Sequence, residues 1–173
     1  MSGIIIHFEQ LTLRPAVIQS QKLLKINIGF LLNASVGTFR DIHFDELNVR
    51  LPDDLELTDF KGLIRFTRTG EGLLLTGNFT AYIAAECGRC LETYPQVLNI
   101  QLTELYHFRN RIMKESDLVI PEGGIIDLAP LLVEYFILEI PINPVCTPDC
   151  RGLCPECGAN LNVETCVHVA EPG

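Results

Sequence analysis

From Arg40 onward the apolar residues of this chain fall into a period close to two, the spacing at which alternate side chains line one face of a β-strand. Ile64-Arg-Phe-Thr-Arg-Thr69 alternates apolar and polar, and Gly70-Glu-Gly72 supplies a hairpin turn. Leu73 to Ala85 follows as a long return strand in which Gly77 is a position for a bulge. Between Gln96 and Phe108 the alternation resumes, with Leu98, Ile100 and Leu102 set against Val97, Asn99, Gln101 and Thr103. Together these segments predict a mostly antiparallel sheet curled into a partly closed barrel.

The period changes at Asp127-Leu-Ala-Pro-Leu-Leu-Val-Glu-Tyr-Phe-Ile-Leu-Glu-Ile140. Asp127 is placed to cap a helix, Pro130 is tolerated in a first turn, and Pro141 stops the element. Its near-continuous apolar character points to tight packing on the sheet. A buried strand, favoured by the β-formers within Phe136–Ile140, is the competing reading. A short helix capped by Asn27 is expected within Lys25–Asn33, a turn from Asn33 to Gly37, and a polar loop from Arg109 to Glu122. Leu11-Thr-Leu-Arg14 before Pro15 reads as extended, and no internal repeat is evident. The expected class is α+β, with one main packing helix. Residues 1–143 form an α/β core, and residues 144–173 form a cysteine-rich tail packed on it.

At 173 residues the chain suits one domain with a small appendage, and 47% hydrophobic residues is too many for a disordered protein. No apolar run approaches the roughly 18–20 residues that cross a bilayer. The start lacks a basic region before its short apolar stretch and a small-residue cleavage site after it, so the expected compartment is the cytoplasm. The net charge of −9 is uneven: residues 1–114 carry 12 acidic and 12 basic side chains, whereas residues 115–173 carry 10 acidic side chains and Arg151 alone. Affinity for nucleic acid comes largely from Lys and Arg neutralising phosphates. The last third is therefore a poor phosphate binder but suits a basic protein, and direct RNA contact is expected from the first two thirds.

Seven cysteines, at 87, 90, 146, 150, 154, 157 and 166, then carry the chemistry. Cys87-Gly-Arg-Cys90 and Cys154-Pro-Glu-Cys157 are C-x-x-C pairs, and Gly158 after the second can take the left-handed conformation that brings backbone N–H groups near sulfur. In a reducing compartment such clusters are more often metal ligands or catalytic thiols than disulfides. Seven cysteines with His168 make eight ligands, enough for two tetrahedral structural zinc ions. The most economical partition is Cys154, Cys157, Cys166 and His168 in one site, and Cys87, Cys90, Cys146 and Cys150 in the other. Cys87 and Cys90 facing Cys154 and Cys157, or one occupied site, remain alternatives, as does His168 as an exposed near-terminal histidine. His7, His43 and His107 read as structural residues. A thiol-redox centre fits Cys87–Cys90 by spacing, but such centres usually open a helix, and Leu91–Pro95 reads as a turn into a strand. A catalytic zinc would need an open coordination position and a placed acid or base; Glu156 and Glu164 read as solvated.

These residues resemble the YceD family, described as large ribosomal RNA subunit accumulation proteins. The matching pieces are Asn27-Ile-Gly-Phe-Leu-Leu32 with Gly37 and Arg40, Cys87-Gly-Arg-Cys90-Leu91, Ile126-Asp-Leu128 with Glu134, and Leu138-Glu-Ile-Pro141. The most specific is the string from Cys146 and Cys150 through Gly152-Leu-Cys-Pro-Glu-Cys-Gly-Ala-Asn-Leu-Asn162 to Cys166. The chain departs from the family in having Cys166-Val-His168 for a final Cys-x-Cys, and in reducing an acidic cluster on the helix to Glu134. Family members without the Cys-Pro-x-Cys-Gly tail keep counterparts of Cys87, Cys90, Cys146 and Cys150, which implies that these four form one site. The resemblance further implies a role in 23S rRNA accumulation and large-subunit assembly, with no established catalytic activity.

The leading expectation is thus a non-enzymatic assembly factor shaped by zinc. Its partner is 23S rRNA or a pre-ribosomal particle, met directly or through a basic ribosomal protein; neither a membrane nor a small-molecule substrate is expected. Candidate phosphate contacts are Arg65, Arg68 and Arg89 with Arg109, Arg111 and Lys114, although Arg65 and Arg68 are oddly spaced and belong to opposite faces of a regular strand. Net charge favours protein contact or a mixed surface. A thiol-redox or zinc-handling protein is the second class. The chain has no Gly-x-Ser-x-Gly, phosphate loop or His-Glu-x-x-His to suggest a hydrolase.

Overall fold

The computed structural model describes residues 18–19, 23–112, 114–115 and 117–168; the extended stretch expected at Leu11–Arg14, and His7, lie outside them. Four long antiparallel strands make the body: β3 (Phe39–Arg50), β4 (Glu56–Arg68), β5 (Gly72–Glu86) and β6 (Thr93–His107). Two-residue strands flank them, β1 (Ile18–Gln19) parallel to β3 and β7 (Leu118–Val119) parallel to β6, giving the order β1-β3-β4-β5-β6-β7. A separate antiparallel pair joins β2 (Lys25–Asn27) to β8 (Ile125–Asp127). Among the described residues the main α-helices are α1 (Gly29–Leu32) and α2 (Ala129–Glu139), with a 3-10 turn at Arg109–Arg111 inside the expected loop.

Alternation decides which face of the sheet is buried. Along β5, Leu73, Leu75, Phe79, Ala81 and Ile83 point into the core, and Leu98, Ile100 and Leu102 do so from β6. The opposite face is polar, with Thr80 donating to Asn99 at 2.8 Å. An antiparallel sheet with one wet face needs cover on the other only. That cover is α2, through Leu132 and Phe136, together with Leu24, Ile28, Leu31 and Ile126 around the β2–β8 pair. The sheet is consequently not closed into the barrel expected from sequence, because its apolar face is already buried by helix and small sheet.

At the centre Phe60 stacks on Phe79 with ring centroids 5.4 Å apart, meets Phe44 edge-on at 5.8 Å, and reaches Phe136 of α2 at 6.2 Å. Gly62 makes that cluster possible, since a Cβ there would fall 2.2 Å from the Phe79 ring. Gly77, expected as a bulge, sits in regular register opposite Ile64 and Leu102. The irregularity lies instead between Thr58 and Lys61, around Asp59 at φ 49°.

The helix at Asp127 forms, rather than the competing strand. Asp127 ends β8 and its Oδ1 accepts from the Ala129 N–H at 3.0 Å, so one residue closes a strand and steadies the start of a helix. Asn27 plays the same part at α1, accepting from Gly29 N–H at 2.9 Å, but the expected helix within Lys25–Asn33 begins only after the strand β2. No helix among the described residues is long and apolar enough to cross a membrane.

Phe60→Ala is expected to cost about 3–5 kcal/mol, the usual loss for a buried phenylalanine, read as a lower urea midpoint with an unchanged slope. Leu91, just after β5, holds φ 60° with its side chain 57% exposed. Leu91→Gly should stabilise by roughly 0.5–1 kcal/mol, because release of left-handed strain exceeds the added backbone entropy; a lower melting temperature would contradict this.

Candidate metal centres

β5 ends at Glu86 and runs into a turn in which the Leu91 N–H donates to the Cys87 carbonyl at 2.9 Å and the Cys87 N–H donates to Glu92 at 3.0 Å. Cys154–Ala159 repeats this turn: the Gly158 N–H donates to the Cys154 carbonyl at 2.8 Å, and the Cys154 N–H donates to Ala159 at 2.8 Å. The residue after the second cysteine is left-handed in both, Leu91 at 60° and Gly158 at 75°. The molecule therefore contains one turn twice, a repeat invisible in sequence beyond the C-x-x-C spacing.

Each turn presents two sulfurs to a second pair of ligands. Cys87, Cys90, Cys146 and Cys150 form an inner cluster; Cys154, Cys157, Cys166 and His168 form an outer one, the ligand atoms of each lying within 4.8 Å of one another. This is the most economical partition of the sequence, and His168 stands within its group. In the inner cluster the sulfurs of Cys87 and Cys150 are 3.8 Å apart and those of Cys90 and Cys146 3.7 Å. A disulfide needs about 2.05 Å, whereas the edge of a tetrahedron with metal–sulfur bonds of ~2.3 Å is about 3.8 Å. The outer cluster is tighter: Cys157 and Cys166 are 3.2 Å apart, Cys154 and Cys166 3.5 Å, and Nδ1 of His168 is 3.1 Å from Cys166 Sγ. All seven cysteines are free thiols. Both sets can hold a metal ion.

Local dipoles select thiolates. The Cys146 N–H, helped by those of Cys90 and Arg89, lowers the Cys87 thiol to about 6 against the cost of burial. The Cys157 and Glu156 N–H groups lower Cys154 to about 6 in the same way. Cys90 goes the other way despite the Glu92 N–H, because burial and three neighbouring sulfurs push it up to about 12. Four sulfurs at this spacing cannot all carry charge without a cation among them.

A ring of support surrounds the inner cluster. Cys87, Cys90 and Cys150 are buried among Tyr94, Val145 and Leu153. The Asn162 side-chain amide donates to Cys150 Sγ at 3.4 Å while its oxygen accepts from the Arg151 N–H at 2.8 Å. Sequence reasoning assigned Asn162 no role, although it closes the Gly-Ala-Asn-Leu-Asn string after the second C-x-x-C. Arg89, expected as a phosphate contact, is occupied here: its Nη1 donates to the carbonyls of Cys150 at 3.0 Å and Pro148 at 3.3 Å, and its own carbonyl accepts from Leu153. Gly152 lies against it, where a Cβ would fall 2.9 Å from that carbonyl.

The other five candidate cations divide. Arg65 is on the outer face of β4, held by both Asp41 oxygens at 2.6 and 2.7 Å and laid over Phe39. Arg68 is on the inner face, as the odd spacing predicts, with its guanidinium 4.3 Å over Phe108, Nε donating weakly to Leu32 and Nη1 buried without a partner. Arg68, Phe108, Arg109 and Arg111 line an open cleft of about 500 Å³ at the start of β5. Arg109 also pairs with Glu122 at 3.0 Å, and exposed Lys114 follows three residues after Arg111. His43 and His107 lie outside both cysteine clusters.

The structure thus has a cationic end and a cysteine end, separated by the 15 residues of β5, or about 45–50 Å of strand. Known proteins agree with the cysteine half. The family model described as large ribosomal RNA subunit accumulation protein YceD matches residues 75–173. Proteins of Mycobacterium tuberculosis and Mycobacterium bovis, both described as uncharacterized, are 36% identical over 105 residues, 58% of this chain and 51% of theirs. This chain thus spans about half the length of these curated relatives. A chloroplastic Zea mays protein named as a YCED homolog of the large ribosomal RNA subunit accumulation protein is 49% identical over 37 residues, 21% of this chain and 13% of its own. No solved structure matches. From β5 to the last cysteine the turns, the ligand spacing and the family match coincide, and the chain belongs to the YceD family of large ribosomal RNA subunit accumulation proteins.

Proposed function

We propose that this protein is a non-enzymatic factor that supports accumulation of 23S rRNA and assembly of the large ribosomal subunit, with two structural zinc ions holding its cysteine end. The family match supports the ribosomal role. The observation that carries direct RNA contact is the cleft at the opposite end, where Arg68, Arg109 and Arg111 converge beside Phe108. Several guanidinium groups around one open cleft suit the oxygens of a phosphate, which accept their N–H donors in charge-assisted hydrogen bonds. Clustering at one end tips the balance left by net charge toward RNA. The tail is poorly suited to that role, because Arg151 is the one basic residue in the last 59 positions, which carry 10 acidic ones.

Zinc is the metal that fits four sulfurs, or three sulfurs and an imidazole, in closed tetrahedra. Cys87, Cys90, Cys146 and Cys150 would hold one ion, and Cys154, Cys157, Cys166 and His168 the other. A closed set of four protein ligands leaves no open position for substrate, which supports a structural rather than catalytic or redox assignment. Such sites contribute on the order of 10 kcal/mol apparent. The tail has few other means of folding: among the described residues, apart from its cysteines, it contributes Val145 and Leu153 to the small apolar cluster around the inner sulfurs.

Elemental analysis of purified protein should find two zinc ions per chain. Cys154→Ser should lose one ion and make residues 144–173 sensitive to protease while sparing the sheet signal in circular dichroism. Cys87→Ser should lower the melting temperature further, because the inner site ties the end of β5 to the segment after α2. For RNA, crosslinking in cells followed by sequencing should recover one region of 23S rRNA. Arg111→Glu should weaken binding of that fragment and flatten the salt dependence of log K by roughly one. Binding indifferent to Arg111 and Arg68 would remove the cleft from consideration.

A further inference from the structure

α2 has a second face that the sheet does not use. Leu132 and Phe136 are buried, yet Ile137 is 48% exposed and Leu138 79% exposed. Beside them the β3–β4 hairpin turns through Pro52, with Asp53 and Asp54 at φ 58° and 55°. Between hairpin tip and helix runs an open groove of about 410 Å³, floored by Pro52, Pro130, Val133, Ile137 and Leu138 and edged by Asp53 and Glu134. Glu139 lies one residue beyond Leu138 on the exposed side. Among the described residues no ion pair engages Asp53, Glu134 or Glu139, whereas nearby Arg50 is paired to Glu56.

An apolar floor with an unneutralised acidic rim selects its occupant by charge. RNA is repelled by the carboxylates, as is an anionic lipid surface. A second copy of this chain would set like rims against each other at a net charge of −9. A cationic protein segment with apolar anchors meets both requirements, the apolar side chains filling the groove and the lysines or arginines facing the rim. We propose that this groove docks a short basic segment of a partner protein, seating apolar side chains between the Pro52–Asp53 turn and α2 and pairing its cations with Asp53, Glu134 and Glu139.

The test titrates the 173-residue chain, purified with zinc, with labelled synthetic peptides of about 14 residues, lysine-rich, with leucines spaced one helical turn apart. Saturable one-to-one binding is expected for this peptide, with loss when its leucines become serine or its lysines glutamate. Leu138→Ser and Glu134→Lys should each weaken binding by roughly tenfold, and unchanged melting temperatures would show that these exposed substitutions leave the fold intact. Arg111→Glu should leave peptide affinity unchanged, which separates this site from the RNA cleft. No binding, binding that survives both groove variants, or equal binding of the serine peptide overturns the proposal. So does sedimentation showing a dimer that Leu138→Ser dissolves, which would give the face to a second copy.

Discussion

The stack of Phe60 on Phe79 is the contact on which the other parts depend. It fixes the register of β4 against β5, and through Phe136 it fixes where α2 lies on the sheet. Gly62 is the concession that lets the two rings meet, because any side chain there would occupy the space of Phe79. With α2 set, Tyr135 reaches across to Glu104 at 2.7 Å and Glu134 turns outward. The strands then extend from this centre in both directions, carrying cysteines at one end and arginines at the other. Distance between the two chemistries follows from strand length alone.

The cysteine end is organised by a different principle. Its apolar contribution is small, so its shape comes from backbone carbonyls and sulfur. Arg89 is the meeting point, since it satisfies carbonyls of the tail with its side chain and receives a tail N–H on its own carbonyl. A positive charge beside a cluster of thiolates also eases their coexistence. This is why a residue that looks like a surface cation in sequence is committed to structure.

Much of this was legible in the chain. The alternation at Ile64–Thr69 and Gln96–Phe108, the turn at Gly70–Gly72 and the helix after Asp127 all stand, because each rests on a local rule that the tertiary structure reinforces, although the helix's N-cap is Leu128 rather than Asp127. The grouping of the cysteines and His168 into two clusters was legible for a similar reason: C-x-x-C turns admit few geometries. The barrel was not, because closure depends on what else covers the apolar face, and short segments such as Leu24–Ile28 give no periodic sign that they will. The turn at Pro52–Asp54 was passed over, although Pro followed by two Asp is a recognisable break, and with it the groove against α2. Arg68 and Arg89 could not be told apart by sequence, since only the fold decides which guanidinium finds carbonyls.

The separation of the two ends has an electrostatic consequence. A divalent ion in the inner cluster would leave four thiolates with a formal charge of about −2, and one in the outer set of three thiolates and an imidazole about −1. Loading with zinc as proposed, by release of thiol protons, would therefore make the cysteine end more anionic than the residue count of −9 implies. With Arg68, Arg109 and Arg111 some 45 Å or more away by strand length, the molecule would then acquire a dipole along β5. In the field of a polyanion such a body would turn before it touched, with its arginines leading.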